Sequence, residues 1–195
     1  MEIDYSTIIG QRVLPFVIEL DSENSNLEPA PGENQRFCYN ITGVGLDLPL
    51  YADLSHLVFG ICPNIPADEI LNITVVRDGV QEIIDFGPDG NVQLRTPENP
   101  DPPTGCPGLK FDFGLDKVDG MMSICFELAA ERPIGPTVVC LFGGNVTANQ
   151  LSICGPVCSA IQTCEAIAYQ PSTVCVPVTV TPFVLPGDTT TVCCG

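Results

Sequence analysis

Residues 122–128 read MSICFEL. Met122, Ile124, Phe126 and Leu128 fall on one side of a two-residue repeat; Ser123, Cys125 and Glu127 fall on the other. Successive side chains of a β-strand point to opposite faces, so this alternation describes a strand with one face in a core and one toward solvent. The same repeat runs through residues 37–42, where Phe37, Tyr39 and Ile41 alternate with Cys38, Asn40 and Thr42. Half-buried strands of this kind predict antiparallel sheets.

Outward from these two runs the pattern holds. Residues 54–62 (LSHLVFGIC) and 137–142 (TVVCLF) are more continuously apolar, as buried strands are. Residues 70–77 and 80–86 flank Asp78-Gly79, a strong hairpin signal, because both turn residues take positive φ. Residues 96–108 (TPENPDPPTGCPG) hold five prolines and must be a loop, followed by a short strand over 109–113. A further short strand covers 151–154, before Gly155-Pro156. No 11-residue stretch carries a helical period; only 52–56 and 158–168 leave room for a turn of helix. Short strands with turn signals between them predict an all-β fold, an antiparallel β-sandwich over residues 35–158.

The two ends read differently. Residues 12–20 (RVLPFVIEL) are strand-like, but Pro15 cannot donate to a ladder, so the strand belongs at an edge or is exchanged. Residues 21–34 (DSENSNLEPAPGEN) read as an acidic linker. Residues 1–34 are therefore expected to form an arm, with Val13, Phe16, Val17 and Ile18 docking on a neighbouring subunit. Residues 159–195 are expected to form a Cys-rich β extension, with β-forming runs at 173–181 (TVCVPVTVT) and 189–195 (TTTVCCG).

Composition narrows the function. The chain has 24 acidic and 7 basic residues, a formal net charge of −17. Phosphate backbones and anionic lipids are both engaged by Lys and Arg, so neither nucleic acid nor membrane is an expected partner. Hydrophobic residues make up 45%, enough for a packed core. Eleven cysteines in a chain of so little charge imply an oxidising destination. Met1-Glu2-Ile3-Asp4-Tyr5 lacks the basic and apolar regions of a signal peptide, and no run reaches the length of a membrane span. Either a signal was removed, or the chain is made without one and oxidised later, at an extracellular, cell or spore surface.

Eleven is odd, so at least one thiol is free or bonds another chain. Cys38, Cys62, Cys106, Cys125, Cys140, Cys154 and Cys158 are the candidates for bonds within the chain. Cys164, Cys175, Cys193 and Cys194 are the candidates for cross-links between chains. Cys193 and Cys194 are adjacent and face opposite ways if extended. Cys154 and Cys158 have the spacing of half a zinc knuckle, with no second half at a suitable distance. No metal or other cofactor is expected.

Catalytic signals are sparse. His56 is the single histidine, its neighbour Ser55 points to the opposite face of a strand, and no G-x-S-x-G elbow exists. A structural role for His56 and no enzymatic activity are the expectation. Asp112, Asp116, Asp119 and Gly120 suggest half a calcium loop, but Lys117 intrudes and the D-x-D-x-D-G register is missing. The sequons at Asn40, Asn72 and Asn145 read as Thr-rich strands.

The stretches LSHLVFGIC, GCPGLKFDFG and 126–158 together resemble a loosely defined bacterial β-sandwich module. Its pattern runs L-S-H-x-V-L-x-x-C, G-x-K-F-D, an F-x-L strand, a V-G-x-V-x-V strand and a closing G-P-x-C. The likeness covers residues 37–158 and brings no enzymatic activity; after the V-x-V strand this chain departs from the pattern, with Leu141-Phe142-Gly143-Gly144. It implies that Cys62 bonds Cys158. The tail resembles Cys-rich spore-surface and appendage proteins of endospore-forming bacteria. That resemblance implies a structural subunit whose partners are copies of itself, with other surface-layer proteins as further partners. The alternative is a secreted monomeric adhesive or ligand-binding sandwich.

Overall fold

The computed structural model describes residues 12–158 of the chain. The expected tail strands, a helical turn within 159–168, and Cys164, Cys175, Cys193 and Cys194 lie outside the described residues. Among the described residues there are ten strands: β1 (Phe16–Leu20), β2 (Gln35–Val44), β3 (His56–Phe59), β4 (Ile70–Arg77), β5 (Val80–Gln81), β6 (Val92–Arg95), β7 (Gly108–Phe111), β8 (Val118–Leu128), β9 (Ile134–Gly143) and β10 (Val146–Pro156). One sheet runs β1-β2-β8-β4-β5 and the other β10-β9-β3-β7-β6. Every strand pairing within them is antiparallel. The chain is all-β, and its two sheets form a β-sandwich.

The two-residue repeats place the core. Phe37, Tyr39 and Ile41 of β2 and Met122, Ile124, Phe126 and Leu128 of β8 are buried on the inner face of the first sheet. Leu57 and Phe59 of β3, Leu109 and Phe111 of β7, and Val139 and Leu141 of β9 meet them from the second. The Tyr39 and Phe59 rings stack across the layers with centroids 4.4 Å apart. The Tyr39 hydroxyl donates to the Cys154 carbonyl, 2.9 Å away, so the buried phenol is satisfied. Burial pushes the Tyr39 phenol well above its ordinary pKa.

The hairpin at Asp78-Gly79 forms as its sequence dictates, with φ of 50° and 80°. A second tight turn, Gly144-Asn145, joins β9 to β10 with φ of 55° and 64°. Residues 52–56 contain no helix. The one helical element described is a 3-10 turn, Ala67–Glu69.

The arm expectation is corrected. β1 is indeed an edge strand, but it pairs with β2 of its own chain, with Phe16 opposite Gly43 and Ile18 opposite Ile41. Phe16 and Ile18 are buried in their own sandwich, Val17 faces outward, and Val13 forms a bridge to Tyr51. The linker reading missed this pairing because residues 21–27 fold back over the first sheet; the Cys38 amide donates to the Ser25 hydroxyl and the Asn26 and Arg36 backbones pair. The sandwich thus includes residues assigned from sequence to the arm. Ile18→Val is therefore expected to lower the unfolding stability of the isolated chain by about 0.5–1.5 kcal/mol, whereas Val17→Thr stays within about 0.5 kcal/mol. Urea unfolding of the two variants checks this; equal stability of both with the parent would return β1 to the role of an exchanged arm.

Candidate functional site: a buried charge cluster under the proline-rich loop

β3 and β7 carry the two motifs LSHLVFGIC and GLKFD side by side. Leu57 pairs with Phe111 and Val58 with Lys110, so Leu57, Phe59, Leu109 and Phe111 fill the core. His56, Val58 and Lys110 consequently point to the opposite, outer face of the second sheet. There they align in cross-strand rows: Cys140, Val58, Lys110 and Gln93 in one, Phe142 and His56 in the next. Gly108 opens the second motif with φ of 138°, and a Cβ there would collide with the Phe59 carbonyl. The motif therefore requires glycine at this point.

An outer face carrying His and Lys would normally be wet. Here the loop over residues 96–107 roofs it. Asp101 sits between Pro100 and Pro102, whose rings restrict the backbone on both sides. The loop closes on itself through Gly105 N–H to Asp101 O at 2.7 Å and Asp101 N–H to Cys106 O at 3.0 Å. Cys106 bonds Cys140 of β9, which fastens the loop to the sheet.

The Asp101 carboxylate is 0% exposed and gathers the cluster. His56 Nε2 lies 2.9 Å from Asp101 Oδ2. The Thr104 hydroxyl donates to the same oxygen at 2.7 Å, and its amide at 3.2 Å. Lys110 Nζ stands 3.2 Å from Asp101 Oδ1 and 3.0 Å from Asp112 Oδ2. Asp101 Oδ1 receives no well-aligned hydrogen bond, so its contact with Lys110 is one of charge. Asp112 is more open to solvent and places Oδ1 3.7 Å from His56 Nδ1.

Burial alone opposes ionisation of Asp101. Thr104, His56 and Lys110 outweigh it and hold the carboxyl below the usual carboxylate range. A carboxyl depressed in the folded state stabilises the fold above its unfolded pKa of about 3.9 and loses that contribution as pH falls through the folded value. The stability gap between the freshly folded parent and Asp101→Asn is therefore expected to be full at neutral pH and to narrow in acid below about pH 4. Urea midpoints at pH 7 and pH 3 measure it; a gap unchanged between them would show that Asp101 does not carry the charge.

Chemically the arrangement is a latch. His56, Lys110 and Asp112 present one half from the sheet, and Asp101 and Thr104 the other from the loop. The acidic residues singled out from sequence do not converge: Asp112 belongs to this cluster, whereas Asp116 Oδ1 accepts from the Val118 amide. Among the described residues no three His, Cys, Asp or Glu side chains are arranged to hold a metal ion.

The cysteines among the described residues are all disulfide-bonded. Cys38 bonds Cys125 on the outer face of the first sheet, where the two are directly opposite in register with Cα atoms 4.1 Å apart. Cys62, just beyond β3, bonds Cys158, just beyond β10. Cys154 is disulfide-bonded as well. Sequence reasoning did not single out Asp101, Thr104 or Lys110 as site residues. The available signal was a Lys and a His embedded in apolar strands, which demand a buried carboxylate. Compared with known proteins, the chain matches no family model, no curated protein and no solved structure.

Proposed function

We propose that this protein is a structural subunit that assembles with copies of itself into an extracellular or spore-surface polymer. One observation carries the reading: exposed apolar side chains gather in two adjoining groups on an otherwise well-packed sandwich. Val76, Val80, Ile83 and Met121 gather around the β4–β5 hairpin, where Ile83 is 87% and Val80 65% exposed. Val44, Leu46 and Leu48 form the second group, at and just beyond the end of β2. Met121 lies opposite Thr42, two residues from Val44, so the groups adjoin; exposed apolar surface of this extent suits a contact with another copy, and contacts that do not close generate filaments.

Three disulfides within the described residues fit an oxidising compartment and a subunit made to last. The odd number of cysteines supports at least one bond to another chain. With β1 engaged in its own sheet, the connection passes through the apolar patches and open sheet edges, and tail cysteines lock it. The charge of −17 keeps finished polymers apart. A second reading, a monomeric ligand-binding module, is favoured by a cleft of about 650 Å³ lined by Phe86, Gln93, Arg95 and Asn99.

Non-reducing electrophoresis of the parent and of a Cys193→Ser/Cys194→Ser variant separates the two readings. A ladder in the parent, collapsed by reductant and diminished in the variant, is expected. Identical monomer bands from both would show that these cysteines bond no other chain and would remove the covalent lock.

A further inference from the structure

The latch holds an amine against a carboxylate in a dry site. We propose that Lys110 and Asp101 condense to an amide, an internal cross-link that no reductant can open. Lys110 and Asp101 side chains are 10% and 0% exposed, and Nζ stands 3.2 Å from Oδ1, with Cγ one bond beyond. Two reacting groups fixed at such range gain a large effective concentration, on the order of 10⁵ M or more when well oriented. Asp101 Oδ1 has no competing hydrogen bond to turn it away. Pro100, Pro102 and the Cys106–Cys140 bond keep the loop from drifting off. Condensation also replaces two charges buried at a desolvation cost with one neutral amide.

The protons balance within the cluster. The Lys110 ammonium gives one proton to Asp112, whose Oδ2 is 3.0 Å away. The freed amine attacks Asp101 Cγ, forming the C–N bond and a tetrahedral centre. Asp101 Oδ2, 2.9 Å from His56 Nε2, takes up protons through the imidazole and leaves as water when its bond to Cγ breaks. Of the three ammonium protons one stays on the amide nitrogen and two depart in the water. Charge is zero before and after, nothing is oxidised, and no co-reactant is needed. The hydrogen bonds that hold Asp101 ionised make the step slow, so the amide accumulates with the age of the folded protein. A condensed chain no longer titrates at Asp101; the acid-dependent gap described above belongs to its ionic precursor.

Trypsin tests this on the full-length protein, aged in the folded state, then reduced and alkylated. Between Arg95 and Lys117 the only cleavable residue is Lys110. The expected product is one peptide spanning 96–117, uncut after Lys110 and lighter by one water. This peptide contains no Asp-Gly step, the usual source of dehydration by succinimide formation. Lys110→Arg, which keeps the cation but not the nucleophile, is expected to give cleaved peptides at full mass. Separate peptides 96–110 and 111–117 at full mass from the aged parent would overturn the proposal, as would loss of water in Lys110→Arg.

Discussion

Asp101→Ala is expected to be less stable than the freshly folded, uncondensed parent by about 3–5 kcal/mol, the range found when one partner of a buried ion pair is removed. The cost does not come chiefly from a lost attraction. Lys110 and His56 lie almost fully buried beneath the loop, and without Asp101 they face only each other and Asp112. Thr104 loses the acceptor of both its hydroxyl and its amide. The loop remains tethered at Cys106, so water enters from the Asp101 side and the outer face of β3 and β7 becomes wet. Chemical denaturation reports the loss, and hydrogen exchange is expected to locate it in residues 96–112. A change under 1 kcal/mol would mean that the loop rests on its disulfide alone. Lys110→Met/Asp101→Leu supplies the complementary case. Removing both charges together costs much less than removing one, because hydrophobic replacement of a whole buried pair is often close to neutral.

Replacing Cys62 and Cys158 by Ser is expected to cost about 2–5 kcal/mol, toward the upper end because the bond spans 96 residues. It joins the exit of the central strand β3 to the exit of the edge strand β10, enclosing most of the sandwich in one covalent loop. In the chain-entropy view such a bond acts on the unfolded state, and a closed loop of about 100 residues corresponds to about 4.7 kcal/mol. Cys38 and Cys125 close a loop of similar length, 87 residues, so the same view gives their bond nearly the same weight. Thermal unfolding of the two double-Ser variants tests this: both should fall in midpoint by similar amounts. A much smaller fall for the Cys38/Cys125 pair would show that the bond across the β2–β8 register acts on the native state rather than on the unfolded chain.

Much of the fold was legible because the strands that define it obey a local rule. β8 and β2 alternate cleanly, and their partner faces follow from the pleat. β6 was missed: Val92–Arg95 is only four residues long, lies between turn residues and Pro97, and owes its existence to β7. β5 was read too long, because residues 82–86 are apolar enough to continue a strand but leave the ladder after Gln81. β1 reads as an arm for a neighbour because the acidic stretch between it and β2 reads as a flexible linker rather than a hairpin turn; nothing local in RVLPFVIEL names β2. The site was less legible than the fold. His56 and Lys110 are conspicuous in apolar runs, but the register that sets them on one face is a long-range fact. Asp101 is one acidic residue among 24, and only the folded loop shows that it is the buried one.

Seven cysteines of the described residues are disulfide-bonded, and the interior is fully packed, so the sandwich by itself gives a rigid unit. In the proposed assembly, the exposed apolar groups are what join one unit to the next. Ile83→Lys and Leu46→Lys leave the core untouched, being on exposed residues, and each is expected to impair assembly singly, with no recovery in the double variant.

Negative-stain electron microscopy of the full-length protein, purified without reductant and imaged over a rising concentration series, tests the proposed assembly most directly. Extended assemblies with a repeating subunit, growing in length with concentration and absent from Ile83→Lys, are the predicted result. Uniform single particles at every concentration, with the parent indistinguishable from the variant, would contradict it.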